Sequence, residues 1–255
     1  MADGIAARQT ISLLAPQFSA RSALGPRTLA ALAALAATVV ALSVLYPTRF
    51  PPMVAMVLAW LYLLSAADRN MLLLRGVRSS TMVSVSESDA RAVPDSELPR
   101  YTVLLPVYHE PSIVQNLING VGNLDYPADR LDVMLLVEED DFATRRALVG
   151  LRRHGMRLIL VPHSLPKTKP KACNYGMSLP DLDGELVTLY DAEDIPDPLQ
   201  LRRAAVAFRR APADVGCLQA RLGYFNERQN LLTRWFSMEY DQWFGAVLPA
   251  VQQAG

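Results

Sequence analysis

The residues best suited to chemistry lie in Leu186-Val187-Thr188-Leu189-Tyr190-Asp191-Ala192-Glu193-Asp194-Ile195-Pro196-Asp197, where an apolar run ends abruptly in acid. Asp191 and Glu193 stand two apart, so in an extended chain both carboxylates leave the same face. Two such carboxylates outline a site for a hard divalent cation, Mg2+ or Mn2+, whose remaining ligands are waters or substrate phosphate oxygens. An ion held there acts as a Lewis acid and can neutralise a departing diphosphate. The competing reading is structural: Asp194 or Asp197 caps the helix that begins near Pro198. A cap accounts for one acid and leaves the rest of the group unexplained.

Three further stretches follow apolar runs and carry polar chemistry: Pro106-Val107-Tyr108-His109-Glu110, Glu138-Glu139-Asp140-Asp141 and Lys167-Thr168-Lys169-Pro170-Lys171. The last leads into a short helix predicted over Ala172 to Leu179, whose N-terminal amides and dipole would reinforce Lys171 in holding an anion. Acids for a metal and a ribose, a base for phosphate and an aromatic for a nucleobase thus share one rim. Each has a plainer alternative, Tyr108 as ordinary packing and the three lysines as a solvated loop. Gly120-Val121-Gly122-Asn123-Leu124-Asp125 lacks the third glycine of a dinucleotide fingerprint, and Gly155 is followed by Met156 where a P-loop needs Lys. His109, His154 and His163 lack metal-ligand spacing and read as surface residues. Trp235, Phe236, Tyr240, Trp243 and Phe244 recur at helical spacing, as core or membrane-interface packing.

These residues need a scaffold that brings several strand ends to one rim. Tyr101 to Leu105, Val133 to Val137, Leu158 to Val161, Leu186 to Tyr190 and Val215 to Leu218 are apolar runs of strand length. Helical patterns alternate with them: Ile113, Leu117, Ile118 and Val121; Ala147, Leu148 and Leu151, ending at Gly155; Leu201, Ala204, Ala205 and Phe208. Alternation of this kind implies crossover connections, hence an α/β domain with a mostly parallel sheet and helices on both faces. Ligands gather at the carboxyl ends of such strands.

Upstream the texture differs. Residues 1–26 are small and polar with scattered Arg, without the charged tip, short apolar stretch and cleavage site of a signal peptide, and read as a cytoplasmic tail. Thr28 to Tyr46 and Phe50 to Ala67 are almost uninterrupted apolar runs, each long enough to cross a hydrocarbon layer of ~30 Å as a helix. Arg8, Arg21 and Arg27 precede the pair and Arg69, Arg75 and Arg78 follow it, whereas the loop between carries only Arg49. This bias puts both ends in the cytoplasm and makes residues 27–68 a multi-pass hairpin anchor in the cell membrane, with the lipid bilayer as partner. Residues 69–100, above all Val77 to Arg100, lack periodicity and read as a linker. Lys plus Arg and Asp plus Glu both total 25, a balance that argues against nucleic acid as a partner. Cys173 and Cys217 have no CxxC spacing and read as reduced and buried.

With these motifs in view, Tyr101 to about Leu248 resembles a family 2 glycosyltransferase of the GT-A fold, in the membrane-bound branch similar to bacterial cellulose synthase. The residues that carry the resemblance are Pro106-Val107-Tyr108-His109-Glu110, Lys171-Ala172-Cys173-Asn174-Tyr175-Gly176, Asp191-Ala192-Glu193 and Gln219-Ala220-Arg221. It implies a Rossmann-like sheet over residues 101–255 and a nucleotide sugar, a UDP-sugar, as donor to a polysaccharide or glycan acceptor. It also implies that Tyr108 and Glu110 contact base and ribose, that Glu138 or Asp140 stands near the uracil, that Lys171 meets the diphosphate, and that Asp191 and Glu193 form the metal motif. Glu193 departs from the Asp usual there.

The family's later acidic motif, which supplies the acceptor base, and its Gln-x-x-Arg-Trp motif do not occur in this sequence. The expectation is a donor half without its acceptor half, arising from a truncated gene, a fragment, or a split protein whose other chain supplies that half. Beside the glycosyltransferase stand two other readings, a catalytically incomplete nucleotide-sugar binder and a membrane scaffold with a vestigial fold.

Overall fold

A computed structural model of the chain describes residues 25–78, 82–151 and 155–254. The tail before residue 25, with Arg8 and Arg21, and His154 lie outside the described residues. In chain order the helices are α1 (Pro26–Leu45), α2 (Phe50–Val77), α3 (Glu87–Ala92), α4 (Val114–Gly122), α5 (Phe142–Ala147), α6 (Lys169–Met177), α7 (Gln200–Arg210), α8 (Leu231–Gln242) and α9 (Leu248–Ala254). The strands are β1 (Tyr101–Val107), β2 (Leu131–Glu138), β3 (Arg157–Val161) and β4 (Leu186–Leu189). Two units emerge among the described residues: Ser84–Leu218, and residues 25–83 with 219–254.

In the first unit every strand pairing is parallel, and the order across the sheet is β3-β2-β1-β4. Tyr101 is in register with Leu131 on one side and Leu186 on the other. Successive side chains of a strand take opposite faces, and the cores divide accordingly. Val103, Leu105 and Val107 of β1 and Val133, Leu135 and Val137 of β2 pack with Val114, Leu117, Ile118 and Val121 of α4 and Leu201 and Ala205 of α7. Leu104, Met134, Leu136 and Val161 turn the other way, onto Ala172 of α6. Helices therefore cover both faces, as the alternation of patterns predicts, and the strands read as continuous apolar runs because both sides are buried.

Several local expectations are corrected. Val215 to Leu218 forms no strand: Gly216 interrupts a four-residue run, offers no cross-strand side chain and weakens the extended state. The β4 edge stays half-open as a result, with Val187 and Leu189 about two-fifths exposed. The non-periodic stretch before β1 contains α3, too short to show a period; Ser86 caps it by accepting from Asp89 N at 3.0 Å. Ala90 and Leu98 of this stretch are buried. Cys173 is half-buried as part of the α6 core, but Cys217 is exposed because the run around it packs against no strand. Trp235, Phe236 and Trp243 are exposed, which sets aside core packing for these three and leaves the membrane-interface alternative open.

In the second unit α1 and α2 are 20 and 28 residues long, with mean hydropathy of 2.3 and 1.7 over their most apolar windows. By length and composition both are able to cross a membrane, and these windows are not buried within the protein. Asn230 and Thr233 close a reciprocal capping box that starts α8, with bonds of 2.9 and 3.1 Å. A π-helical turn, Trp243–Val247, follows α8 and packs against α2 at Gly76, where any Cβ would run into the carbonyl of Ala246.

Candidate functional site

The chain leaves β1 for β2 and β3 on one side and returns to β4 on the other, so a switch point lies between β1 and β4. A crevice opens at the carboxyl ends of such strands, where the diverging crossovers leave the sheet uncovered. Here it is a cleft of about 360 Å3, lined by Tyr108 and Glu110 after β1, Glu138 at the end of β2, Lys167 and Lys169 before and in α6, and Asp191 and Glu193 after β4.

At the β4 end the turn is built by its own acids. Asp191 N donates to Asp194 Oδ2 at 2.8 Å, and Asp194 N returns a bond to Asp191 O at 3.0 Å. Asp197 Oδ1 accepts from Leu199 N at 2.9 Å, just ahead of α7. The turn-forming tasks thus fall to Asp194 and Asp197, which leaves the carboxylates of Asp191 and Glu193 for the cleft. Burial raises the pKa of Glu110, and the charge of Glu193 raises it further. Asp194 is raised for the same two reasons, with Lys169 opposing. Lys169 forms an ion pair with Asp191. The Glu193 charge thus acts on both neighbouring acids, while Asp191 has Lys169 as its positive partner. Among the described residues no three His, Cys, Asp or Glu side chains are grouped to hold a metal. Two carboxylates with open positions are what a Mg2+ or Mn2+ ion shared with a phosphate requires.

At the β1 and β2 ends, Lys167 Nζ lies 5.5 Å from the centroid of the Tyr108 ring and also pairs with Asp140. His163 Nδ1 is 3.1 Å from the same carboxylate oxygen of Asp140. Lys167 holds the Asp140 carboxyl below its usual range. The other oxygen, Asp140 Oδ1, is buried and without a partner among the described residues. Asp140 does not line the cleft itself but stands directly behind Lys167.

Lys171 is placed differently from the lysines that line the cleft. Its Nζ donates to Glu138 Oε2 at 2.7 Å, to Ser164 O at 3.2 Å and to Pro162 O at 3.3 Å, and both side chains of the Lys171–Glu138 pair are at most 4% exposed. It ties β2 to the loop leading into α6. Lys167 and Lys169 take the place at the cleft that the sequence suggested for Lys171. The signal that could have separated them is Thr168, which caps α6 by accepting from Lys171 N at 3.4 Å. A helix starting at Lys169 turns its third residue toward the sheet, next to the buried Ala172.

With this geometry established, residues 99–254 match the domain described as glycosyltransferase like family 2. The chain belongs to this family. It is similar to a probable glycosyltransferase, YdaM, of Bacillus subtilis, 23% identical over 146 residues that make up 56% of this chain and 34% of the relative. It is also similar to a beta-monoglucosyldiacylglycerol synthase of Trichormus variabilis, 25% identical over 149 residues, 58% of this chain and 31% of that protein. The chain spans about a third of the length of these curated relatives. Among solved structures, the mannosyltransferase PcManGT from Pyrobaculum calidifontis in complex with GDP-Man and Mn2+ matches 59% of this chain and 43% of its own, at 23% identity and a TM-score of 0.43.

Proposed function

We propose that the chain is the donor-binding part of a membrane-anchored glycosyltransferase that takes a sugar from a nucleotide diphosphate sugar, a UDP-sugar, and passes it to a glycan acceptor. The observation that carries this reading is the meeting of Asp191 and Glu193 with Tyr108 in one cleft at the switch point of a parallel sheet. Tyr108 offers its ring to the base and Glu110 its carboxylate to a ribose hydroxyl. Asp140, which pairs with Lys167 behind the rim, positions that lysine beside the Tyr108 ring. Lys167 and Lys169 face the diphosphate, and Lys169 leaves Asp191 as it does so. Asp191 and Glu193 would hold the divalent ion, which supplies charge neutralisation for the leaving diphosphate when bound. The two apolar helices α1 and α2 anchor the chain in the cell membrane, with the donor site in the cytoplasm where nucleotide sugars are made.

Titration of UDP into the purified full chain in detergent micelles tests the site. Asp191→Asn is expected to weaken binding by at least about tenfold in Mn2+, one charge-assisted contact, and to leave binding in chelator unchanged. Equal affinities for variant and parent in Mn2+ would refute the metal assignment.

A further inference from the structure

Immediately beyond β1 the backbone does something costly. His109 has a φ of 57°, in the left-handed region where a side chain other than glycine is strained by about 1–2 kcal/mol. A neighbouring segment holds it there. His109 N donates to Asp141 Oδ2 at 2.7 Å, and Glu110 N donates to Thr144 Oγ1 at 3.2 Å. The second carboxylate oxygen, Asp141 Oδ1, accepts from Thr144 N at 3.1 Å and so caps α5. Asp141 and Thr144 are 1% and 0% exposed, and neither lines the cleft. Burial alone would push the Asp141 carboxyl up, yet it lies below its usual range because the amides of His109 and Thr144 and the Thr144 hydroxyl outweigh that cost.

The residues on either side of this strained turn are Tyr108 and Glu110, the two that reach into the cleft. We propose that Asp141 and Thr144 are positioning residues: they latch the Tyr108-His109-Glu110 turn to the start of α5 and so set the affinity for the nucleoside half of the donor without touching it. The latch rests on the nucleotide-sugar reading given above. Its chemical consequence is selective. The diphosphate half of the site is carried by Lys167, Lys169 and the turn after β4; among the described residues no hydrogen bond or ion pair joins Asp141 or Thr144 to Lys167, Lys169, Asp191 or Glu193, so weakening the latch costs nucleoside contacts and spares pyrophosphate.

Thr144→Val tests the latch, because it keeps the shape and the capped backbone amide and removes only the hydroxyl, which holds Glu110 N and also supports the Asp141 carboxylate. Affinities for UDP and for inorganic pyrophosphate are measured in Mn2+ on the purified full chain, with thermal unfolding as the check on folding. Thr144→Val is expected to weaken UDP about tenfold, the scale of one or two hydrogen bonds, with pyrophosphate within about twofold of the parent and Thr144→Ser restoring UDP. Asp141→Asn, as a second variant, is expected to show the same split. A loss shared equally by UDP and pyrophosphate would mean general damage and overturn the latch. Tyr108→Ala separates the two claims. If it weakens UDP while Thr144→Val and Asp141→Asn leave UDP unchanged, the latch is wrong and the nucleotide site stands; if the parent binds pyrophosphate but not UDP, the nucleotide reading fails and takes the latch with it.

Discussion

Replacement of Lys171 by Met separates a lysine that binds a substrate from one that holds the fold. In the structure Nζ of Lys171 satisfies Glu138 Oε2 and the carbonyl oxygens of Pro162 and Ser164, behind the rim of the cleft. Lys171→Met leaves the Glu138 carboxylate 4% exposed with its cation gone, and removing one partner of a buried pair costs about 3–5 kcal/mol. For a chain of this size that corresponds to a fall in Tm of about 6–20 °C. The double variant Lys171→Met with Glu138→Leu removes both charges together and is expected to recover most of the loss, since an apolar pair of similar volume is often no worse than the ions. Thermal and urea unfolding of the four proteins of the cycle, followed by circular dichroism in detergent, give the coupling directly. The reasoning fails if Lys171→Met unfolds like the parent but no longer binds UDP, for then Lys171 reaches the diphosphate as the family resemblance implies.

Glu193→Gln is expected to make the protein more stable than the parent at pH 7, with the gain vanishing as the pH falls toward 4. The sign follows from Glu110 and Asp194: burial and the charge of Glu193 raise both, so their favourable contribution is present when protonated and is lost as pH rises through their midpoints. Urea unfolding at the two pH values reads the difference; destabilisation at pH 7 would show that Lys169 already balances the acids. For topology, in a Cys217→Ser background that removes the exposed native thiol, a cysteine at Thr48 is expected to react with an impermeant maleimide on intact cells while one at Ser84 stays protected. The reverse pattern would place the donor site outside the cytoplasm.

Much of the scaffold was legible because burial on both faces leaves an unmistakable trace. A strand such as β2, Leu131–Glu138, is apolar almost throughout, and α4 repeats buried positions at Val114, Leu117, Ile118 and Val121. What misled was a run without a partner. Val215 to Leu218 has strand composition, yet extended structure is stabilised by the pairing of two strands, and composition of one segment says nothing about whether a second is in reach. Short α3 was invisible for a related reason, since six residues make less than two turns and cannot display a period.

The site was legible by residue type and much less so by role. Carboxylates two apart after a strand single out Asp191 and Glu193 by type, but the chain turns over Asp191–Asp194, with Asp194 N donating to Asp191 O at 3.0 Å, so both line the cleft from a turn and the extended-chain reason for their common face does not apply. Lys167, Lys169 and Lys171 are also two apart, but the chain changes from loop to helix between them, and a helix rotates each residue by about 100°. Alternation therefore fails at Thr168, where α6 starts, and Lys171 turns inward toward Glu138. The Asp141 latch was hidden in the same way. An Asp three residues before a Thr, with Phe-Ala between them, reads as an ordinary helix cap, and so it is through Oδ1. Only the fold shows that Oδ2 reaches across 32 positions of sequence to the amide of His109. A carboxylate has two acceptor oxygens, and local sequence accounts for one of them; the second is satisfied by tertiary structure, at the turn that carries Tyr108 and Glu110 into the cleft.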